Sequence, residues 1–303
     1  MNKINNNIAI CVATYKRNDL LKYCLSKIKL LELPRKNRIV LIVVDNDSSK
    51  AAKPVIDLFN KNYPFKIYYF VEKERGISSA RNRLIDEAVS VDSNIVCFID
   101  DDEFPREDWL LNHFHALIKY GADVVTGPVI PITNDSQLNV INFKSKLKTG
   151  HKPRHVAAGN VMFKSKLIKE QGLRFDLTYN FTGGEDFHFF DRSSSRNNNH
   201  IWVNDAVIFE HVTLDRRTKK YLFFRHFTGA INNVIQYRSR KTEFLVWPHF
   251  ILKIIGKWFG MLTSFTLFIF TFEKSELNKC IIKLASSFGY LFGLLNIIIE
   301  RYR

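Results

Sequence analysis

The chain of 303 residues carries 45 Lys and Arg against 30 Asp and Glu, which gives a formal net charge of +15. With 46% hydrophobic and 14% aromatic residues it is not a disordered polycation, and its length allows a full α/β core with a smaller appended unit. The basic balance predicts an anionic partner: nucleotide phosphates, an acidic membrane surface or nucleic acid.

The first 130 residues alternate between strand-like and helix-like patterns. The predicted strands cover residues 8–13, 39–44, 66–71, 95–99 and 124–129. The predicted helices cover residues 19–31, 54–60, 78–89 and 107–120. This alternation predicts an α/β, Rossmann-like fold whose mostly parallel sheet is flanked by helices. Ligands bind at the carboxyl edge of such sheets, so we assign residues 1–130 as a nucleotide-binding half.

Four consecutive acids, residues 100–103, follow the apolar run 95–99 directly. They therefore sit at the carboxyl end of a predicted strand, where clustered carboxylates repel one another. A divalent cation relieves this repulsion, and oxygen ligands suit Mg²⁺, Mn²⁺ or Ca²⁺. The alternative is a solvated acidic turn without a metal.

Polar residues also follow the other predicted strands. Thr14 and Tyr15 can offer backbone groups and an aromatic face to a base or ribose. Asp45 can accept a hydrogen bond from a ribose hydroxyl, or it can simply cap the following turn. Arg75 and Arg81 flank a predicted helix start that suits an anion, although a capped helix with solvated arginines has the same pattern.

The four cysteines, Cys11, Cys24, Cys97 and Cys280, show no paired spacing. This favours small core residues in a reducing compartment over a disulfide framework or a metal site. The N-terminus leads directly into the first strand without a long apolar segment, so a secretory signal is not expected.

Residues 131–214 are less periodic and richer in Gly, Asn and Ser, and we assign them as a second half of the domain. Two glycines precede Glu185 and Asp186, which places two carboxylates at a predicted helix start. They fit either general-base catalysis or helix capping. His211 follows the strand-like run 206–209 and fits either a metal ligand or a structural histidine.

Residues 215–303 form a basic, apolar tail with fifteen Lys or Arg against five Asp or Glu. Two apolar stretches, 254–272 and 281–299, each have about 19 residues, near the length of a membrane-spanning helix. They predict two helices that span the bilayer or lie in its interface, and the alternative is a helical cap on the catalytic domain. We expect membrane association, with the catalytic domain on the cytoplasmic face.

Five motifs occur in a fixed order, at residues 12–17, 43–48, 75–82, 98–103 and 184–186. In order and spacing they closely resemble those of the family 2 glycosyltransferases, which are inverting enzymes with a GT-A fold. The resemblance spans residues 8–212, and it does not cover the tail.

On the donor side the resemblance implies nucleotide contacts by Thr14, Tyr15, Arg17, Asp45, Arg75, Arg81, Asn82, Asp100 and Asp101. It also implies an Asp-x-Asp metal motif made by Asp100 and Asp102, with His211 as a further metal ligand or a phosphate contact. Asp101 then reaches the ribose or the sugar, although the register within the three aspartates stays open. The cofactor implied is Mn²⁺ or Mg²⁺.

On the acceptor side the resemblance implies that residues 131–214 form the acceptor-binding and catalytic half, that Asp186 is the general base and that Glu185 orients the acceptor. We therefore expect a metal-dependent glycosyltransferase that moves a sugar from a nucleotide-sugar, with a UDP-sugar favoured, to a hydroxyl of a glycan or lipid-linked glycan. Its expected place is cell-surface polysaccharide biosynthesis, without a nucleic acid partner. Two alternatives stay open: a nucleotidyltransferase acting on sugar phosphates, and a non-catalytic, membrane-tethered nucleotide-sugar-binding protein.

Overall fold

The computed structural model describes residues 6–133, 147–212 and 214–299. Within these ranges the chain forms two compact units. The first comprises the residues up to Asn180 together with Glu185–His211, and the second comprises Phe181–Gly184 and the residues from Val212 onward. Residues 134–146, which belong to the predicted acceptor half, lie outside the described residues.

The first unit contains a seven-stranded sheet with the strand order β3-β2-β1-β4-β8-β6-β9. Its strands are β1 (Asn7–Thr14), β2 (Arg38–Asp45), β3 (Lys66–Val71), β4 (Ile95–Phe98), β6 (Val124–Thr126), β8 (Val161–Lys164) and β9 (His200–Trp202). The strands β3, β2, β1 and β4 are parallel, β8 is antiparallel to both of its neighbours, and β9 is parallel to β6. The predicted mostly parallel sheet is thereby confirmed.

Helices cover both faces of this sheet. They are α1 (Asn18–Ile28), α2 (Lys53–Asn60), α3 (Ile77–Ser90), α4 (Trp109–Lys119), α5 (Lys166–Lys169) and α6 (Glu185–Ser195). Alternate residues of β1 enter two different cores: Ile8 and Ile10 pack on one face, and Ala9 and Cys11 pack on the other. A strand buried on both faces needs a continuous apolar run, which is the pattern that this segment has.

One predicted strand, residues 124–129, is divided in the structure. The residues 124–126 form β6, whereas β7 (Val129–Ile132) pairs with β10 (Ile208–His211) at one edge of a second sheet. This sheet has the order β5-β10-β7, where β5 is Glu103–Pro105. The break falls at Gly127 and Pro128. A Cβ on Gly127 would lie 2.2 Å from the carbonyl oxygen of Ala206, and a proline cannot donate to a sheet ladder.

The second unit is built from three helices, α7 (Lys219–Arg238), α8 (Glu243–Thr271) and α9 (Lys274–Leu294). α9 packs closely against α7, because a Cβ on Gly289 would lie 2.2 Å from the carbonyl oxygen of Phe227. In the described part of the chain, only α8 is long and apolar enough to cross a membrane. The predicted second stretch, 281–299, is not one helix, since α9 ends at Leu294.

Candidate active site

Asp45 ends β2 and is completely buried. One of its oxygens accepts the backbone N–H of Asp47 at 3.0 Å. The other accepts the N–H of Ala52 at 2.9 Å and the hydroxyl of Tyr69 at 2.8 Å. The carboxylate therefore closes the turn after β2, as the capping alternative predicted, and it does so at the carboxyl edge of the sheet.

Asn46 fixes the loop that carries Arg75. Its Oδ1 accepts the N–H of Gly76 at 2.8 Å, and its Nδ2 donates to the carbonyls of Glu72 and Glu74 at 3.1 and 2.7 Å. The guanidinium of Arg75 then lies 4.6 Å from the ring centre of Tyr15. Tyr15 and Arg75, which were both predicted to contact the nucleotide, thus lie next to each other. Asn46, which was not predicted as a site residue, positions Arg75.

Asn180 holds the start of α3 in the same manner. Its Oδ1 accepts the backbone N–H of Ser79 at 2.9 Å. Gly76 has φ of +134°, and a Cβ there would lie 2.2 Å from Cγ of Asn180. This position therefore requires glycine, both for its backbone conformation and for the close approach of the asparagine.

Asp101 contacts the end of β1 and the residues that follow it. Thr14 Oγ1 donates to its Oδ2 at 2.8 Å, and Arg17 Nη1 lies 3.2 Å from its Oδ1. The same Arg17 nitrogen lies 3.3 Å from Oδ2 of Asp102. Burial raises the pKa of Asp101 to about 7, although Arg17 opposes this shift.

Arg81 joins the acidic run to the start of α6. It is buried, its Nη2 lies 3.0 Å from Oδ1 of Asp100, and its Nη1 forms an ion pair with Glu185. Burial raises the pKa of Glu185 to about 7, although Arg81 opposes this shift. A buried arginine between two carboxylates satisfies charges that would otherwise be costly in this environment.

Glu103 stabilises the backbone of the acidic run. Its Oε2 accepts the backbone N–H of Asp100 at 3.1 Å, and burial raises its pKa well above the ordinary value, with Asp100 and Asp102 adding to the shift. A Cβ on Gly159 would lie 2.4 Å from its Oε1. Glu103 therefore has a structural role, and its carboxylate leaves space only for glycine at position 159.

His211 lies beside the acidic run at the end of β10. Its backbone N–H donates to the carbonyl of Asp102 at 3.1 Å, and its ring packs 5.0 Å from Tyr23 and 5.1 Å from Phe104. Among the described residues, no group of three or more His, Cys, Asp or Glu side chains is arranged as a metal site. The carboxylates of Asp100, which is half-exposed, and of Asp102 nevertheless offer the oxygen donors that Mn²⁺ and Mg²⁺ prefer.

Asp186 lies in the first turn of α6 and is partly exposed. Its Oδ2 accepts the N–H of Ala158 at 3.3 Å, and its Oδ1 accepts the N–H of Phe187 at 2.7 Å. These two bonds orient the carboxylate. Within the described chain, Oε2 of the neighbouring Glu185 is buried without a hydrogen-bond partner.

The contacts link most of the predicted site residues. The linked set is Thr14, Arg17, Arg81, Asp100, Asp101, Asp102, Glu185 and His211. Asn82 is not among them: its Nδ2 donates to the carbonyl of Phe175 at 2.9 Å, and its Oδ1 accepts the N–H of the same residue at 2.8 Å. Through these contacts Asn82 holds the backbone of Phe175 against α3.

Comparison with known proteins identifies the fold and the family. The pattern of Glycosyl transferase family 2 matches residues 9–196. The succinoglycan biosynthesis protein ExoM of Rhizobium meliloti is 28% identical over 230 residues, which cover 74% of this chain and 73% of that protein. The glycosyltransferase AglE of Haloferax volcanii is 21% identical over 205 residues, which cover 66% of this chain and 65% of that protein.

Among solved structures, the mannosyltransferase PcManGT from Pyrobaculum calidifontis in complex with GDP-Man and Mn²⁺ is similar, with a TM-score of 0.69 and 16% identity over 97% of this chain and 88% of that chain. S. aureus TarS 1-349 in complex with UDP-GlcNAc has a TM-score of 0.54 and 12% identity, over 76% of this chain and 66% of that chain. The predicted fold class is confirmed. Since the family pattern matches more than half of the chain, the protein belongs to glycosyltransferase family 2 and is a glycosyltransferase.

Proposed function

We propose that the enzyme transfers a sugar from a nucleotide-sugar to an acceptor hydroxyl with inversion, and that Asp186 is the general base. The observation that carries this proposal is the buried arginine Arg81, which ties Asp100 of the acidic run to Glu185, the residue next to Asp186. It joins the residue that precedes the proposed base to the acidic run at the carboxyl edge of the sheet.

The chemistry follows from these positions. The acceptor hydroxyl attacks the anomeric carbon of the donor, and its proton passes to the carboxylate of Asp186. The bond between that carbon and the phosphate oxygen breaks, and the nucleoside diphosphate leaves. A single displacement inverts the anomeric centre and needs one base but no covalent intermediate.

The donor lies, in this proposal, over the carboxyl ends of β1, β2 and β4. Tyr15 and Arg75 offer an aromatic face and a cation for the nucleotide, and Asp45 holds the turn beneath it. Asp101 and Arg17 face the same edge. UDP-sugars are the first donors to test, and GDP-mannose is a second, because structural neighbours were solved with UDP-GlcNAc and GDP-Man.

Asp100, Asp102 and His211 are the residues that would hold a divalent cation. When bound, Mn²⁺ or Mg²⁺ supplies positive charge that stabilises the departing diphosphate. Arg17 Nη1 lies 3.3 Å from Oδ2 of Asp102, and this contact orients the buried carboxylate.

We further propose that the protein works at the cytoplasmic face of a membrane on a glycan or lipid-linked glycan acceptor, in the assembly of a cell-surface polysaccharide. ExoM, a relative, is a succinoglycan biosynthesis protein. α8 is long and apolar enough to cross a membrane, and only 6% of its most apolar window is buried within the protein. These observations favour association with lipid.

The test is a screen of UDP-glucose, UDP-galactose, UDP-GlcNAc and GDP-mannose for release of the nucleoside diphosphate, with Mn²⁺ and with EDTA. We expect Mn²⁺-dependent release from one donor. Asp186→Asn should lower that rate by a factor on the order of 10² to 10⁴ while donor binding persists. Asp102→Ala should abolish Mn²⁺-dependent nucleotide binding, and Asp205→Asn, an exposed aspartate in the same unit, should change neither.

Two outcomes contradict the proposal. If Asp186→Asn releases nucleotide at the wild-type rate, the base is another residue. If none of the four donors releases its nucleoside diphosphate in Mn²⁺, the proposed donor class is wrong.

A further inference from the structure

Three consecutive backbone carbonyls accept hydrogen bonds from two side-chain amides of α7. Asn232 Nδ2 donates to the carbonyls of Thr182 and Gly183 at 3.1 and 2.6 Å. Gln236 Nε2 donates to the carbonyl of Gly184 at 3.3 Å. Because the two amides are four residues apart, they lie on one face of α7, and both are buried.

The segment held in this way has an uncommon backbone. Gly183 and Gly184 have φ of +76° and +87°, both in the left-handed region. A Cβ on Gly184 would lie 3.1 Å from Nδ2 of Asn232. A buried turn of this kind cannot pair its carbonyls with a helix or a sheet, so side chains must satisfy them.

Burying these amides has a cost. Oδ1 of Asn232 is buried and finds no partner in the described part of the chain. An unsatisfied buried acceptor costs about 1 to 3 kcal/mol, but an apolar side chain at this position would leave the carbonyls of Thr182 and Gly183 unsatisfied instead. The amide is therefore the side chain that holds this turn.

The turn ends where the proposed catalytic residues begin. Gly184 is followed directly by Glu185 and Asp186 in the first turn of α6. The peptide bond between Gly184 and Glu185 joins this turn to the first residue of α6. We infer that Asn232, assisted by Gln236, is a positioning residue of the transfer reaction, which holds the two-glycine turn so that Asp186 points at the acceptor hydroxyl.

α7 is held in place by close packing against α9. On either side of Asn232 along the helix, small residues of α9 allow close packing: a Cβ on Gly289 would lie 2.2 Å from the carbonyl oxygen of Phe227, and one on Gly293 would lie 2.8 Å from Cβ of Val234. The inference rests on the proposed role of Asp186.

The experiment uses the full chain and the donor selected from UDP-glucose, UDP-galactose, UDP-GlcNAc and GDP-mannose, with Mn²⁺. Asn232→Asp keeps the side-chain volume but replaces the donor by an acceptor that faces two carbonyls. We expect the rate of nucleotide release at saturating donor to fall about 10- to 100-fold, the cost of misplacing a reacting group by about 1 Å. The dissociation constant for the donor should stay unchanged.

Asn233→Asp is the matched control, because Asn233 is the next residue of α7 and is exposed. It introduces the same charge and should leave the rate unchanged. Gln236→Met removes the amide that contacts Gly184 without removing volume, and a loss of about 3- to 10-fold is expected, as fits a single longer hydrogen bond. This variant also tests the inference if Asn232→Asp does not fold.

A double-mutant cycle separates positioning from general stability. If Asn232 acts through Asp186, then Asn232→Asp should add no further loss to Asp186→Asn. Losses that multiply, or an equal weakening of donor binding, overturn the inference. A rate for Asp186→Asn equal to wild type would instead refute the proposed base, which keeps the two failures apart.

Discussion

The two units of the chain differ in how far their apolar side chains are buried. In the catalytic unit, the core residues of β1, β2 and β4 are almost completely buried, with Ile8, Leu41 and Val96 each at 0% exposure. In the helical unit, α8 leaves Leu252, Phe259 and Phe270 at 69%, 67% and 79% exposure. The first unit completes its core with its own chain, whereas the second presents a continuous apolar surface that requires another apolar environment.

The largest effect is expected where the catalytic unit buries charge. Arg81→Met keeps much of the side-chain length but leaves Glu185 and Asp100 without their shared cation. Removing one partner of a buried ion pair costs about 3 to 5 kcal/mol of unfolding free energy. Nucleotide release should fall by at least about 100-fold, because the carboxylates then move apart or take up protons.

Arg83→Met is the control for this change. Arg83 lies on the same helix and pairs with Glu87 at 2.6 Å on a partly exposed face. Such pairs contribute about 0.3 to 0.5 kcal/mol. Urea unfolding and the release assay should therefore separate the two variants, and equal effects would remove Arg81 from its proposed role.

The next prediction compares the two faces of α8. Phe250 is completely buried, and its ring lies 5.1 Å from that of Tyr290 and 5.4 Å from that of Tyr237. Phe250→Ala should cost about 3 to 5 kcal/mol. Phe259→Ala, at an exposed position of the same helix, should change the free energy of unfolding by less than about 0.5 kcal/mol.

Both free energies are measured by urea unfolding with detergent present to cover the apolar face. A loss for Phe259→Ala as large as that for Phe250→Ala would mean that the exposed face of α8 packs against protein.

The sequence predicted those strands and motifs that consecutive residues determine. The run 66–71 became β3 with the same bounds, and the acids of residues 100–103 lie at the end of β4 as expected. The division of 124–129 also had a local signal, the Gly127-Pro128 pair, which the apolar pattern on both sides of it outweighed.

The contacts that position the site had no such signal. Asn180 acts on Ser79, which is 101 residues away, and Asn232 acts on carbonyls 49 and 50 residues away. Periodicity reports which face of an element is apolar, but it does not report which distant backbone group a buried amide will meet. For the same reason, the apolar stretch 281–299 did not predict that one face of α9 packs on α7 through Gly289 and Gly293.

A pH-dependent prediction concerns the core of the catalytic unit. His113 is buried on α4, and its Nε2 lies 2.7 Å from Oδ1 of Asn160. Burial lowers its pKa from 6.5 to about 4, although the bond to Asn160 opposes the shift. Protonation therefore favours the unfolded state, so this contribution to stability is complete above pH 6.5 and is lost as the pH falls toward 4.

The loss over this window should be about 3 kcal/mol for one histidine. His113→Gln keeps a hydrogen-bond donor toward Asn160 and should remove this part of the pH dependence in urea unfolding. His115→Gln, at an exposed position of the same helix, should leave the pH dependence as it is in wild type. An unchanged slope for His113→Gln would contradict the assignment.

The smallest effect tests the outer face of α8 directly. Leu252 on α8 and Leu58 on α2 are both exposed, at 69% and 59%, so the same substitution by serine removes a similar apolar area from each unit. If α8 meets lipid, Leu252→Ser should weaken partitioning onto vesicles of phosphatidylglycerol and phosphatidylcholine by about five- to tenfold, equivalent to about 1 to 1.4 kcal/mol for the leucine. Leu58→Ser should have no effect on partitioning, and neither variant should change the free energy of unfolding by more than about 0.5 kcal/mol. Vesicle flotation measures the difference. Equal partitioning of the two variants would show that the apolar face of α8 is not the surface that meets the membrane, and it would leave a protein partner as the environment which that face requires.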